Sequence, residues 1–126
     1  QRTTKYAVQC VQHDYTPNST IKFMNQPQTP YPKKNWSSMM IFNNAMCRSL
    51  TPDYVNSATG LQLHQFKWLE SEKLIGNIDV EWNHLVGEYE YNYAAKLVHF
   101  TEGGPYFKKY KDCHYNEEWF KTFAKR

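Results

Sequence analysis

Residues 96–119 read KLVHFTEGGPYFKKYKDCHYNEEW, and the fold reading starts there. Lys96–Phe100 alternates into an apolar, β-branched and aromatic run, the signature of a strand. His99 stands at the strand's end. Thr101–Pro105 then carries almost no side-chain bulk, because Gly103 and Gly104 are adjacent. Aromatics and lysines follow. Such a loop serves either as a turn needing positive φ or as a backbone nest for an anion, and both uses share one geometry. His99 has two readings as well: a strand-end imidazole bonded to backbone, or a metal ligand.

Outward from that stretch, the elements alternate. KYAVQCV predicts a strand over Tyr6–Val11, and MMIF predicts a buried strand over Met39–Phe42, ended by Asn43 and Asn44. QHDYTPNST predicts a loop at Pro17 and Asn18. Residues 21–34 hold three prolines in six positions and predict a proline-rich loop without a regular element. SLTPDYVNSATG predicts a helix with Thr51 as cap, Pro52 at the first position, Asp53 in the first turn and Gly60 as terminator. LQLHQFKWLESEKLIG predicts an amphipathic helix sharing Leu61, His64, Gln65 and Trp68 on one side. NIDVEWNHLVG predicts a short strand, a turn and a compact aromatic segment. Residues 116–126 predict a last helix, with Asn116 as cap and Trp119, Phe120 and Phe123 as its apolar face. The fold class is α/β with few strands, as one domain or part of one.

Composition narrows the function. Hydrophobic residues make up 40% of the 126 and aromatics 17%, which is no disordered composition. A net charge of +3 does not argue for a nucleic-acid binder, and suits a phosphorylated small molecule equally well. Cys10, Cys47 and Cys113 are odd in number and irregular in spacing. They indicate neither zinc nor a disulfide framework, so a reducing, cytoplasmic setting is expected. No leader pattern and no long apolar run is seen. Neither GxGxxG nor GxxxxGK[ST] occurs, and no nucleophile elbow or spaced carboxylate pair supports a hydrolase. Lys108, Lys109 and Lys111 read as a solvated face.

Three stretches then carry a resemblance: NWSSMMIFNNAMCRSLTPDYVNSATGLQLHQFKWL, DVEWNHLVG and KLVHFTEGGPYF. Together, over roughly Tyr6–Phe107, they resemble the C-terminal half of family 8 retaining, nucleotide-sugar-dependent glycosyltransferases, which include glycogenin and lipopolysaccharide galactosyltransferases. The resemblance implies a partial A-type glycosyltransferase fold lacking most of the N-terminal nucleotide-binding half. It implies a UDP-sugar donor, a glycan acceptor and Mn²⁺ or Mg²⁺. It places His99 as a metal ligand beside the diphosphate, with Gly103 and Gly104 lining the phosphates, where Lys108 or Lys109 would reach back to supply the cation. It places Ser37, Ser38, His64 and Gln65 near the donor sugar or acceptor.

The departures are equally specific. Gly104 stands where the family has a phosphate-gripping lysine, and Tyr106 replaces a tryptophan. Trp36, Ser37 and Ser38 replace Asn-Ser-Gly, and His64-Gln65 replaces Asp-Gln. No Asp-x-Asp occurs, and Asp79 and Glu81 come too late in the chain to supply it. The sequence looks like a glycosyltransferase that begins just after its metal motif. A non-catalytic glycan- or protein-binding module on the same half-fold is the alternative. An incomplete sheet also leaves an edge open to self-association.

Overall fold

The computed structural model describes residues 5–15, 21–22, 26–27 and 32–126. Pro17 and Asn18, and half of the proline-rich stretch 21–34, lie outside them. The chain divides into two compact units, one of Gln1–Tyr15 with Tyr31–Val80, the other of Thr16–Pro30 with Glu81–Arg126.

The first unit is built on a three-stranded mixed sheet. Its middle strand, β1 (Val8–Cys10), is wholly buried and comes from the run AVQCV, apolar except for the buried Gln9, close to the pattern expected of a strand covered on both faces. Later in the chain come β4 (Met40–Phe42) and β5 (Ile75–Asn77). β1 pairs antiparallel with β4, placing Gln9 opposite Ile41, and parallel with β5, placing Gln9 opposite Gly76. Gly76 is small for a reason: a Cβ there would lie 2.4 Å from Cδ2 of Tyr6. Val8, Cys10 and Ile75 pack with Phe66 and Trp68 into the core. β4 was expected to be buried, but it is an edge strand with Phe42 40% exposed. The Phe42 ring still stacks on Trp68 at 6.3 Å.

Two short helices cover this sheet's connection. Helix α1 (Pro52–Ser57) starts as expected, with the Thr51 hydroxyl accepting the Tyr54 N–H at 3.1 Å. Gly60 does not end it. Ala58 does, and Thr59 opens a second helix, α2 (Gly60–His64), through a capping box with Gln62. The long amphipathic helix expected from Leu61 onward therefore stops after one turn. Gln65 is its C-cap, and Phe66 takes a left-handed φ of 57°. The Lys67 N–H returns to the Gln62 carbonyl and the Phe66 N–H to the Leu63 carbonyl. This closure satisfies two end carbonyls and usually employs glycine at the left-handed position.

In the second unit, β6 (His84–Val86) pairs parallel with β7 (Val98–Phe100), setting Leu85 opposite His99. β6 corrects the expectation of a compact aromatic segment after the turn. The Glu81 carbonyl accepts both the Lys96 and Leu97 N–H groups, at 2.7 and 3.1 Å, and steers β7 into line. Two two-residue strands, β2 (Ile21–Lys22) and β3 (Gln26–Pro27), form an antiparallel ladder where no regular element was expected. Pro27 is tolerated on so short an edge because few ladder donors are required. The final helix, α3 (Asn116–Phe123), ends before residue 126. Its cap is Tyr115 at φ 62° rather than Asn116. The Tyr115 hydroxyl accepts the Asn92 N–H at 3.0 Å and donates to the Asn92 carbonyl at 2.6 Å. That tie fixes the start of the helix.

Candidate functional site

In the first unit, a turn of 3-10 helix, Trp36–Ser38, presents Ser37. Asn35 enters the turn at φ 63°, a conformation asparagine accepts more readily than most residues. The Trp36 indole N–H donates to the His13 carbonyl at 2.7 Å, and the Ser38 hydroxyl donates to the Asn35 carbonyl at 2.7 Å. With the turn so anchored, Ser37 Oγ lies 2.6 Å from Nδ1 of His64, the last residue of α2. Both side chains line a cavity of about 190 Å³, with Phe42, Val55, Phe66 and Trp68 among its walls. The site is apolar apart from this one serine–histidine pair.

Of the four residues expected around a sugar, the fold thus brings two together. Ser38 spends its hydroxyl on its own turn, and Gln65 closes α2 outside the cavity lining. The Ser37–His64 contact leaves the ring's Nε2 for a ligand. Among the described residues no acid orients that nitrogen, so the pair is a hydrogen-bonding device rather than an acyl-transfer triad.

In the second unit, His99 sits in β7, and its Nδ1 is buried without a hydrogen-bond partner among the described residues. Burial lowers its pKa from the usual 6.5, which favours the neutral ring. A neutral imidazole has the right chemistry for a metal, but one ligand is not a site. No three His, Cys, Asp or Glu side chains converge among the described residues, so this donor set does not fit Mn²⁺ or Mg²⁺.

The glycine pair has a packing explanation. Gly103 adopts φ 146°, and a Cβ on it would lie 2.9 Å from Cε2 of Tyr110. A Cβ on Gly104 would lie 2.3 Å from Cε1 of Tyr106. Gly103 borders a cavity of about 360 Å³ that also touches Glu88, Glu90, Glu102, Asp112 and His114. Four carboxylates give that cavity a negative field, which opposes a bare diphosphate. Gly104, Lys108 and His99 do not line it, and Lys108 is exposed in a 3-10 turn, Lys108–Tyr110.

Sequence reasoning did not single out Phe66, whose left-handed turn points the cavity wall, or Tyr110, which requires Gly103. The FKW triplet gave no glycine or asparagine to flag the first. The second depends on a tertiary contact.

Protein CDI of Arabidopsis thaliana is 47% identical to this chain over 122 residues, covering 91% of this chain and 47% of CDI. The chain therefore spans about half the length of that curated relative. No family model matches the chain, and no solved structure matches it.

Proposed function

We propose that this chain is the sugar-handling part of a nucleotide-sugar-dependent glycosyltransferase. The observation that carries the reading is the 2.6 Å contact between Ser37 and His64 at the aromatic cavity. Those residues lie 27 apart in sequence. The family resemblance implies that both lie near the donor sugar or acceptor. Aromatic walls suit the apolar face of a sugar ring, and the serine–imidazole pair suits one of its hydroxyls. His64 positions and orients here. Being an imidazole, it does not reproduce a carboxylate's field at an oxocarbenium centre. Metal ligands belong, in this reading, to protein outside these 126 residues.

The test is NMR of the full chain titrated with UDP-glucose and UDP-galactose, with and without Mn²⁺. The His64 ring and the Ser37 amide are expected to shift, independently of Mn²⁺. Ser37→Ala and His64→Ala should each weaken binding by about tenfold, the worth of one well-formed hydrogen bond. Titrations that leave both residues unmoved would remove the reading.

The second reading is a non-catalytic glycan-binding module. It is favoured by the lack of a metal donor set among the described residues. Free monosaccharide binding as tight as the sugar nucleotide, with no donor turnover by a longer form of the protein, would select it.

A further inference from the structure

The chain's formal charge is unevenly placed. Residues 1–105 carry as many acidic as basic side chains, so the whole net charge of +3 falls in residues 106–126. There Lys108, Lys109, Lys111, Lys121, Lys125 and Arg126 outnumber Asp112, Glu117 and Glu118. The same segment exposes aromatic surface. Tyr106 is 58% exposed, Phe120 43% and Phe123 57%.

These rings form one patch. Trp119, partly buried, contacts Tyr106 at 5.4 Å, Phe120 at 5.1 Å and Phe123 at 5.3 Å. At 100° per residue, Trp119, Phe120 and Phe123 share an arc of about 100° on α3, and Glu117 and Glu118 fall outside it. Glu117 and Glu118 are therefore turned away from the aromatic face, and so is Lys121, which leaves Lys108 and Lys109, two and three residues after Tyr106, as cations close to it in the chain. No helix among the described residues is long and apolar enough to cross a membrane.

Exposed aromatics in a segment that carries a net charge of +3 match the chemistry of a lipid–water boundary. Rings settle at the depth of the headgroups, and lysines reach phosphate along their own stems. Anionic headgroups complement the local charge. Single-stranded nucleic acid fits less well. Trp119 and Phe123 stack on one another at 10° between planes, which engages one face of each ring and leaves fewer faces for successive bases.

We propose that the aromatic face formed by Tyr106, Trp119, Phe120 and Phe123, with the exposed Lys108 and Lys109, docks this chain onto an anionic bilayer surface. Cosedimentation of the full chain with vesicles tests it, comparing phosphatidylcholine alone with a mixture holding about one third phosphatidylserine. Binding is expected to the mixture alone, to fall with added salt, and to shift Trp119 emission to the blue. Lys108→Gln with Lys109→Gln should weaken it by about fivefold per lysine. Phe120→Ser with Phe123→Ser should weaken it by at least about tenfold. The lysine pair is exposed and decides the question if the phenylalanine variant does not fold. Equal binding to both vesicle types, or no binding at low salt, would overturn the proposal. So would binding that both variants leave intact, a dimer dispersed by Phe120→Ser, or an oligonucleotide that displaces the vesicles through the same lysines.

Discussion

Replacing Phe66 separates two effects that oppose each other in the folded chain. Its ring is 3% exposed and meets Trp68 edge to face at 6.2 Å, so its burial stabilises the first unit. Its backbone sits at φ 57°, which costs an L-residue about 1–2 kcal/mol. Phe66→Ala removes the ring and keeps the backbone cost, so destabilisation of about 3–5 kcal/mol is expected. Phe66→Gly removes the same ring but also relieves the left-handed strain. Against that relief stands the extra unfolded-state freedom of glycine, about 0.5–1 kcal/mol. The difference leaves Phe66→Gly more stable than Phe66→Ala by about 1 kcal/mol. That order is the reverse of what glycine and alanine give at an ordinary helical position. Urea titration followed by tryptophan emission would resolve it, since 1 kcal/mol moves the midpoint by about 0.5 M. If Phe66→Gly proved equal to or weaker than Phe66→Ala, the two-bond closure of α2 would not be what fixes this turn. The placing of His64 would then need another cause.

Three further outcomes follow from packing and titration. Gly76→Ala should destabilise by about 1–3 kcal/mol, because its methyl would meet Tyr6 and Gln9. Urea midpoints of Gly76→Ala alone and with Tyr6→Ala should show the second change recovering part of the loss, and an additive pair would refute the clash. His84 and His99 both titrate below 6.5 when folded: burial is the main cause at each, and His114 adds to it at His84. The unfolded chain therefore takes up these protons first, so their contribution is complete above about pH 6.5 and is lost as pH falls below it. Melting temperature should drop between pH 7 and pH 5, and a flat profile would contradict the buried imidazoles. Burial pushes the Cys10 thiol up to about 12, so a disulfide reagent at pH 8 should label Cys47 and Cys113 first. Fast labelling of Cys10 in the native chain would count against β1 as the central strand.

What could be read in the sequence was local. The Thr51 cap, Pro52 and the apolar face of α3 rest on contacts within one or two turns, where spacing and side-chain type suffice. β1 was legible because Tyr6–Val11 is a short run rich in aromatic and β-branched residues, broken only by Gln9 in its polarity. β6 was not, since HLV is three residues long and its histidine reads as polar. That histidine is 2% exposed, packed edge-on against Tyr89 and Tyr115. Neither tyrosine is near it on any strand or helix period. The left-handed positions at Phe66 and Tyr115 were hidden for a related reason. Their strain is offset by ring burial at Phe66 and by the Asn92 bonds at Tyr115, so neither glycine nor asparagine marks them. The same distinction divides the candidate residues. Ser37 and His64 meet because each sits in a short helical turn with anchored ends, Ser37 in the middle of Trp36–Ser38 and His64 at the last position of α2, and a side chain on a fixed turn has few directions to take. Gly103 and Gly104 were ambiguous in sequence because a tight loop and a phosphate nest demand the same backbone. Tyr106 and Tyr110, which fill the space above them, supply the reason for glycine that the one-dimensional pattern could not.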